Sequence, residues 1–209
     1  MVASRVGGHH RPVRENVVVA VQEAEEGEEG GEGGDDAAAH KVRVGEVAQN
    51  PAHDERAHDA ARGAVTELMN SNRPVIYAGG GAISSNAEEE LFRLNEILDA
   101  PVTNTLMGLG IYPATHHRFL GMLGMHGTYQ ANMAMHNADL IIAIGARFDD
   151  RITNTPSMFA PDAKIVHIDV DPASISKIIN ADIPIVGQVK ESLLALIKEI
   201  KRSKIKIDS

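Results

Sequence analysis

From about Asp54 onward, short apolar segments alternate with segments whose apolar residues recur at helical spacing. The apolar segments predict β-strands at residues 75–78, 101–104, 140–144, 164–169 and 183–186. The continuously apolar run 140–144 is typical of a strand buried on both faces. This alternation predicts an α/β fold with a doubly wound, mostly parallel, Rossmann-like sheet of about five or six strands and right-handed crossovers.

Helices are predicted between these strands from the spacing of apolar residues and from end signals. The first is predicted to start near Asp54, and the others to cover residues 87–98, 128–137, 173–179 and 189–200. Residues 84–86 offer N-caps to the second helix, with Glu88 and Glu89 placed for a capping box. The Asp-Pro pair at 171–172 is predicted to cap the short helix that follows it.

Residues 1–53 differ in composition from the rest of the chain. The total net charge is −9, and eight acidic residues lie in the glutamate- and glycine-rich stretch 23–36, so the remainder is close to neutral. Such a tract buries too little apolar surface to offset the entropy lost on ordering the chain. The sequence therefore predicts a disordered low-complexity tail at 1–53, one folded domain at 54–203 and a short C-terminal tail at 204–209.

Composition excludes several classes of function. The chain contains no cysteine, so disulfides and thiolate chemistry are ruled out. Aromatic residues make up only 3% of the chain, and the net charge is negative, which argues against nucleic-acid binding. The histidines lack metal-ligand spacing, and no apolar run reaches the roughly 18 residues of a transmembrane helix. We therefore expect no metal site and no membrane association, and a cytoplasmic location by default.

Four loops that follow predicted strands carry glycine, threonine or charged residues. They lie at 79–81, 105–107, 145–147 and 169–171. Ligands of open α/β sheets bind outside the carboxyl ends of the strands, so these loops are predicted to frame one site. The glycines at 79–81 suit a phosphate, yet they match neither GxGxxG nor a Walker loop, and a plain tight turn is the alternative. Asp169 is placed like the acidic residues that accept ribose hydroxyls.

A second glycine-rich segment, at 121–127, is predicted to be a flexible loop beside this site, because glycine recurs there at every third residue. His126 lies within it without an identifiable partner, and a packing role is favoured over a catalytic one. Met107, Met122 and Met125 cluster near the glycine loops. They are interpreted either as core residues or as the wall of a flavin or substrate site.

Several motifs in a fixed order carry a resemblance to a known family. They are RPVIYAGGG from residue 73, GMLGMHG from residue 121, GARFDDR from residue 145 and HIDVDP from residue 167. Together they resemble the central domain of acetolactate synthase (acetohydroxyacid synthase) large subunits, which are thiamine-diphosphate-dependent carboligases. The resemblance runs from about residue 60 to 201, whereas residues 1–53 do not resemble the domain that usually precedes this one.

The resemblance implies a division of labour among three domains. The central domain binds FAD, which is mainly structural, while the flanking domains supply the activating glutamate and the magnesium and diphosphate site of thiamine diphosphate. The chain contains no Gly-Asp-Gly motif followed by Asn-Asn and no activating-glutamate motif. The family reaction condenses pyruvate with a second 2-keto acid in branched-chain amino-acid biosynthesis, and it is not expected of this chain alone. A homo-oligomer and a possible regulatory subunit are implied for the complete enzyme.

The resemblance also assigns residues of this chain to FAD and to the keto-acid substrate. It assigns no catalytic residue and no metal ligand to this chain. Met125 and Arg151 would line the substrate channel, and the Arg151 guanidinium would hold the carboxylate of the second keto acid. The alternative is an ion pair of Arg151 with Asp149 or Asp150. Gln188 stands where many members have Asp, which weakens one contact near the adenosine end. The FAD contacts would be Gly79, Gly80, Gly81, Thr105, Leu106, Met107, Leu123, Gly124, Met125, His126, Gly127, Gly145, Ala146, Arg147, Asp149 and Asp169.

Other functions are compatible with the same fold class. One alternative is the central domain of another thiamine-diphosphate enzyme, of pyruvate oxidase or glyoxylate carboligase type. Another is a noncatalytic nucleotide-binding or assembly module. The motifs GMHG and RFDDR favour the acetolactate synthase hypothesis over both. Nicotinamide-dependent deacylases are disfavoured, because their zinc cysteines are missing.

Overall fold

A computed structural model describes residues 51–153 and 155–203, and it confirms the predicted α/β class. One six-stranded sheet has the order β3-β2-β1-β4-β5-β6, and every neighbouring pair is parallel. The strands are β1 (Pro74–Ala78), β2 (Val102–Asn104), β3 (Phe119–Met122), β4 (Leu140–Ile144), β5 (Lys164–Asp169) and β6 (Ile183–Val186).

Six helices surround the sheet in the described residues, together with two 3-10 turns at Leu106–Gly108 and Pro156–Met158. The helices are α1 (Pro51–Asn70), α2 (Gly80–Ser84), α3 (Glu88–Leu98), α4 (Tyr129–Asn137), α5 (Asp150–Thr153) and α6 (Val189–Arg202). Within this part of the chain, no helix is both long and apolar enough to cross a membrane.

The two faces of the sheet bury separate apolar clusters. Alternate residues of the central strands, such as Ile76 and Ile142, pack with α1, α3 and α6 on one face. The residues between them, such as Tyr77 and Ile141, pack on the other face with α4 and with Phe148 beyond β4. All five residues of β4 are buried, as its continuous apolar sequence predicts.

The order of strands reverses between β1 and β4, which pair in register from Pro74–Leu140 to Ala78–Ile144. From β1 the chain moves outward to β2 and β3, then returns across to β4 and moves outward the other way. The loops after β1 and β4 therefore leave in opposite directions and open a crevice at the carboxyl edge.

The prediction of a loop at 121–127 is wrong in its first part, because Phe119–Met122 forms the edge strand β3 beside β2. Gly121 keeps a positive φ of 90° inside this strand. Its carbonyl accepts a hydrogen bond from the Thr103 hydroxyl at 2.9 Å. This contact between strands distant in sequence cannot be inferred from local glycine spacing.

The predicted helix at 173–179 does not form, and turns occupy that segment. The Asp171 carboxylate accepts hydrogen bonds from the Ala173 amide at 2.9 Å and the Ser174 hydroxyl at 3.0 Å, which closes an Asx turn. Ser176 has a positive φ of 58°, which interrupts any helical path. The cap-like signal at 171 therefore marks a turn.

The capping box predicted before the second helix is also absent. Residues 80–84 already form the short helix α2, so residues 84–86 end that helix, and Asn86 adopts a positive φ of 48°. Ala87 is the N-cap of α3, without a side-chain cap. Backbone bonds link the two helices instead, including the Ala87 amide to the Ala82 carbonyl at 3.1 Å.

The boundaries of the predicted domain fall partly outside the described residues. Helix α1 begins at Pro51, slightly before the predicted start near Asp54. The predicted disordered tail at 1–53 lies outside the description up to residue 50, as does the C-terminal tail at 204–209. Both tails stay predictions from composition.

Candidate functional site

A cleft of about 680 Å³ opens at the carboxyl edge of the sheet, at the point where the strand order reverses. The loops after five of the strands, β1 to β5, contribute to its walls. All but two of the predicted site residues line it: Gly80, Gly81, Thr105, Leu106, Met107, Leu123, Gly124, Met125, His126, Gly145, Ala146, Arg147, Asp149, Arg151 and Asp169. Two further lining residues, Met122 and Asp171, belong to the methionine cluster and to the loop at 169–171 that the sequence had singled out. The sequence missed four others: Ile83, Ser84, Ile152 and Ser174.

Gly79 and Gly127 are not among the residues that line the cleft. A Cβ on Gly79 would lie 2.2 Å from the Gly145 carbonyl oxygen, and a Cβ on Gly127 would lie 2.2 Å from the Met122 carbonyl oxygen. Both glycines therefore let two backbone segments pass at van der Waals contact. In this structure both glycines allow close packing of backbone against backbone.

Backbone contacts between the loops after β1 and β4 form the floor of the cleft. The amides of Gly79 and Gly81 donate to the carbonyls of Ile144 and Gly145, at 2.9 and 3.0 Å. Gly145 adopts a φ of 54°, and a Cβ on Gly81 would lie 2.8 Å from its Cα. These two amides are therefore committed to joining the loops and do not point at a phosphate.

The turn after β2 presents two exposed apolar side chains, Leu106 and Met107, which are 69% and 75% exposed. The Thr105 hydroxyl accepts the Gly108 amide, and the Asn104 side-chain amide donates to the Gly108 carbonyl, both at 2.9 Å. The turn is thus held at both ends of its backbone. Its exposed pair forms an apolar wall of the cleft.

Two arginines in the segment after β4, Arg147 and Arg151, line the cleft. Among the described residues, neither Arg147 nor Arg151 forms an ion pair with an acidic side chain. The Asp149 carboxylate instead accepts the backbone amide of Arg151 at 3.1 Å and caps α5. The alternative ion pair of Arg151 with Asp149 or Asp150 is therefore not formed, and both guanidinium groups remain available to an anion.

An acidic group lies at the end of β5, the strand that pairs with β4. Asp169 is 8% exposed, and its Oδ1 accepts the Asp171 amide at 2.9 Å, which leaves Oδ2 for a ligand. Gln188, where the sequence departs from the family pattern, immediately precedes α6 and is not among the residues that line the cleft.

An aromatic cluster supports the β4 loop from below. Phe148 packs against Tyr77 and His167, with ring centroids 5.6 and 5.4 Å apart. The Tyr77 hydroxyl donates to the Arg147 carbonyl at 3.5 Å, and burial, then the Asp149 charge, raise the pKa of Tyr77. Burial lowers the pKa of His167, although the Asp169 charge and the Ala146 backbone oppose it. Both side chains are therefore neutral supports of the loop near pH 7.

His126 is exposed at the rim of the cleft. In the part of the chain that the structure describes, no group of three or more His, Asp or Glu side chains is arranged to hold a metal ion.

Comparison with known proteins gives one family and consistent relatives. The family model described as "Thiamine pyrophosphate enzyme, central domain" matches residues 61–196. The acetolactate synthase large subunit of Buchnera aphidicola subsp. Acyrthosiphon pisum is 55% identical over 141 residues, which are 68% of this chain and 25% of that protein. The isozyme 3 large subunit of Escherichia coli K12 is 54% identical over 139 residues, 65% of this chain and 24% of its own length.

An archaeal relative extends the same pattern. The probable acetolactate synthase large subunit of Methanocaldococcus jannaschii is 53% identical over 139 residues, 66% of this chain and 24% of its own. The chain thus spans about a quarter of the length of the curated relatives it matches. The similarity to acetolactate synthase large subunits inferred from the motifs is confirmed. Because the family match covers most of the chain and the whole sheet, this chain belongs to the family of thiamine pyrophosphate enzyme central domains.

Proposed function

We propose that this chain is the FAD-binding central domain of an acetolactate synthase large subunit and that its cleft holds FAD. The observation that carries the proposal is that nearly all of the predicted residues line one cleft, which lies at the strand-order reversal. Open α/β sheets bind dinucleotides at such a point. The names of the relatives favour an acetolactate synthase over the pyruvate oxidase and glyoxylate carboligase alternatives.

The chemistry of the lining fits a flavin dinucleotide in three places. The Arg147 guanidinium, which has no ion pair among the described residues, suits the diphosphate, since arginine binds phosphate through paired hydrogen bonds. The buried Asp169 carboxylate, with Oδ2 available, suits a ribose hydroxyl. The exposed Leu106 and Met107 suit an apolar ring system. When bound, FAD would fill the cleft and serve a mainly structural role.

In the complete enzyme, the same cleft would also form one wall of the substrate channel. Arg151 would bind the carboxylate of the second 2-keto acid, and the 76% exposed Met125 would contact its side chain. Thiamine diphosphate and magnesium would be held by other domains, and pyruvate would supply the first substrate. A cytoplasmic homo-oligomer with a regulatory subunit is part of this proposal.

Flavin titration of the purified full chain tests the proposal. Saturable quenching of FAD fluorescence is expected. Replacing Arg147 with alanine should weaken binding by about ten- to a hundredfold, because a charge-assisted hydrogen bond contributes roughly 1.5–3 kcal/mol. The matched control is Arg93→Ala, which removes an exposed arginine of α3 that pairs with Glu89 away from the cleft. Absence of saturable binding by the wild-type chain would refute the proposal.

A further inference from the structure

Asn132, a partly buried residue of α4, makes hydrogen bonds that no sequence motif indicated. Its Oδ1 accepts the backbone amide of Gly124 at 3.1 Å, and its Nδ2 donates to the Gly124 carbonyl at 3.1 Å. Nδ2 also donates to the Thr128 carbonyl at 3.0 Å. Both side-chain N–H groups are therefore used, and the amide holds both backbone groups of one residue eight positions away.

Gly124 in turn lies against the segment that carries Arg151. It adopts a φ of 106°, and a Cβ there would lie 3.1 Å from the Arg151 carbonyl oxygen. The next residue, Met125, donates its amide to that same carbonyl at 3.2 Å. Hydrogen bonds thus join Asn132 to Gly124 and Met125 to the Arg151 backbone, and the peptide bond between Gly124 and Met125 connects the two.

The Arg151 segment is fixed on its other side by Asp149. The Asp149 carboxylate accepts the Arg151 amide at 3.1 Å, and its carbonyl accepts the Ile152 and Thr153 amides at 3.1 and 3.0 Å. The backbone of Arg151 is therefore anchored while its exposed guanidinium remains unpaired within the described residues. The distance between Met125 and Arg151 then depends on how firmly Gly124 is held.

A purely local role for Asn132 would need only part of this arrangement. The bond to Thr128 is an ordinary helix contact four residues back, and the Thr128 hydroxyl already caps α4 by accepting the Ala131 amide at 3.1 Å. The two bonds to Gly124 add nothing to the helix itself. They serve the cleft loop, and through it the contact with Arg151.

We propose that Asn132 is a positioning residue that sets Met125 against Arg151 and thereby sets the opening through which a 2-keto acid binds. The proposal rests on the proposed function for the identity of that ligand. A keto acid would place its carboxylate at Arg151 and its alkyl side chain at Met125. Asn132 touches neither group and acts through the backbone of Gly124.

Amide hydrogen exchange on the full chain, without ligand, tests the coupling independently of function. Asn132→Asp keeps the shape and the Oδ1 acceptor, but it removes both donors and sets a carboxylate against the two carbonyls. The Met125, Ile152 and Thr153 amides should then exchange about tenfold faster, the effect of losing one or two net hydrogen bonds. The control is Asn137→Asp on the same helix, whose Nδ2 donates only to the Met133 carbonyl.

The outcomes separate positioning from local structure. The coupling would be overturned if exchange became faster only in α4 and residues 123–128, with no change at Ile152 and Thr153. Equal effects of Asn132→Asp and Asn137→Asp would overturn it too. Unchanged exchange in β4 verifies that the fold persists, and Asn132→Ser provides a milder second variant if Asn132→Asp unfolds.

A kinetic measurement on the holoenzyme tests the ligand part. Asn132→Asp should raise KM for the second keto acid by about tenfold with a smaller fall in kcat, whereas Asn137→Asp should change neither. An unchanged KM together with faster exchange in the loop would reject the role of Asn132 in substrate binding. The separate proposal that the cleft binds FAD would still stand.

Discussion

Arg151, with its exposed and charged side chain at the cleft, is the single residue that most directly suggests a ligand. Arg151 follows a buried strand, lies exposed and has no carboxylate partner among the described residues. Its own backbone uses the Asp149 carboxylate that would otherwise neutralise it. Met125, whose amide donates to the Arg151 carbonyl, adds an exposed apolar side chain, and this combination suits a small organic acid.

Replacing Arg151 with lysine in the three-domain enzyme should raise KM for the second keto acid by about ten- to a hundredfold. The physical reason is loss of a bidentate charge-assisted contact, at roughly 1.5–3 kcal/mol. Bound FAD, measured by absorbance, should be unchanged. Steady-state kinetics with Arg93→Lys as the control decide the matter, and a KM equal to that of the wild type would contradict the assignment.

The buried His167 side chain is expected to make the stability of the fold depend on pH. In the folded chain its pKa lies below the ordinary value of 6.5, because burial disfavours the charged form, so the unfolded chain binds more protons just below that pH. Stability should therefore fall as pH drops below about 6.5 and should be insensitive to this group above it. Thermal unfolding of the wild type and of His167→Leu is measured at pH 7.5 and at pH 5.5. The stability of the wild type relative to the variant should be lower at pH 5.5 than at pH 7.5. A constant difference would contradict the prediction.

At the scale of elements, apolar periodicity predicted the central strands and the long helices because burial decides both. Strands β1, β4 and β5 and helix α6 lie where the pattern placed them. The predictions failed where contacts between distant segments decide the structure. Strand β3 depends on pairing with β2, and the segment after β5 is held in turns by the Asp171 side chain.

The candidate site was predictable for the same reason that the strands were. Loops at the carboxyl ends of parallel strands must meet at one edge, so Thr105, Arg147 and Asp169 could be grouped before any coordinates. The sequence did not reveal which glycines line the cleft and which pack against backbone, as Gly79 and Gly127 do. Asn132 gave no signal either, because its partner Gly124 is eight residues away.

The opposite, amino edge of the sheet depends on one carboxylate. Asp139, just before β4, accepts hydrogen bonds from the Ser71 hydroxyl and from the amides of Asn72 and Arg73. Partial burial would raise the pKa of Asp139, but these bonds outweigh it and lower the pKa. The carboxylate therefore stabilises the entry to β1 at neutral pH, and this contribution is lost only as pH falls through its folded-state pKa.

Asp139→Asn should destabilise the chain by about 1–2 kcal/mol, because the hydrogen bonds lose their charged acceptor and an Nδ2 donor in place of Oδ2 would face the Asn72 amide. For a domain of this size, that corresponds to a fall in Tm of roughly 2–8 °C. Calorimetry at neutral pH provides the measurement. The control is Asp162→Asn, at an exposed position, and equal Tm values for the two variants would contradict the prediction.

At the scale of the whole molecule, the chain covers about a quarter of the length of its relatives and holds the central-domain fold. The proposed activity would therefore need thiamine-binding domains, which the family resemblance assigns to other parts of a complete enzyme. The purified chain is not expected to form acetolactate from pyruvate, even with thiamine diphosphate, magnesium and FAD added. A colorimetric acetoin assay checks this, and turnover above a protein-free blank would contradict it.

Hydrogen exchange of the wild-type chain, measured with and without FAD, shows whether FAD binds in the cleft at the carboxyl edge. Protection is expected in residues 105–108, 123–127 and 145–149, which surround the cleft. Residues 71–75 and 98–101, which line a separate crevice at the amino edge, should be unchanged. Protection confined to that crevice, or no protection at saturating FAD, would contradict the account.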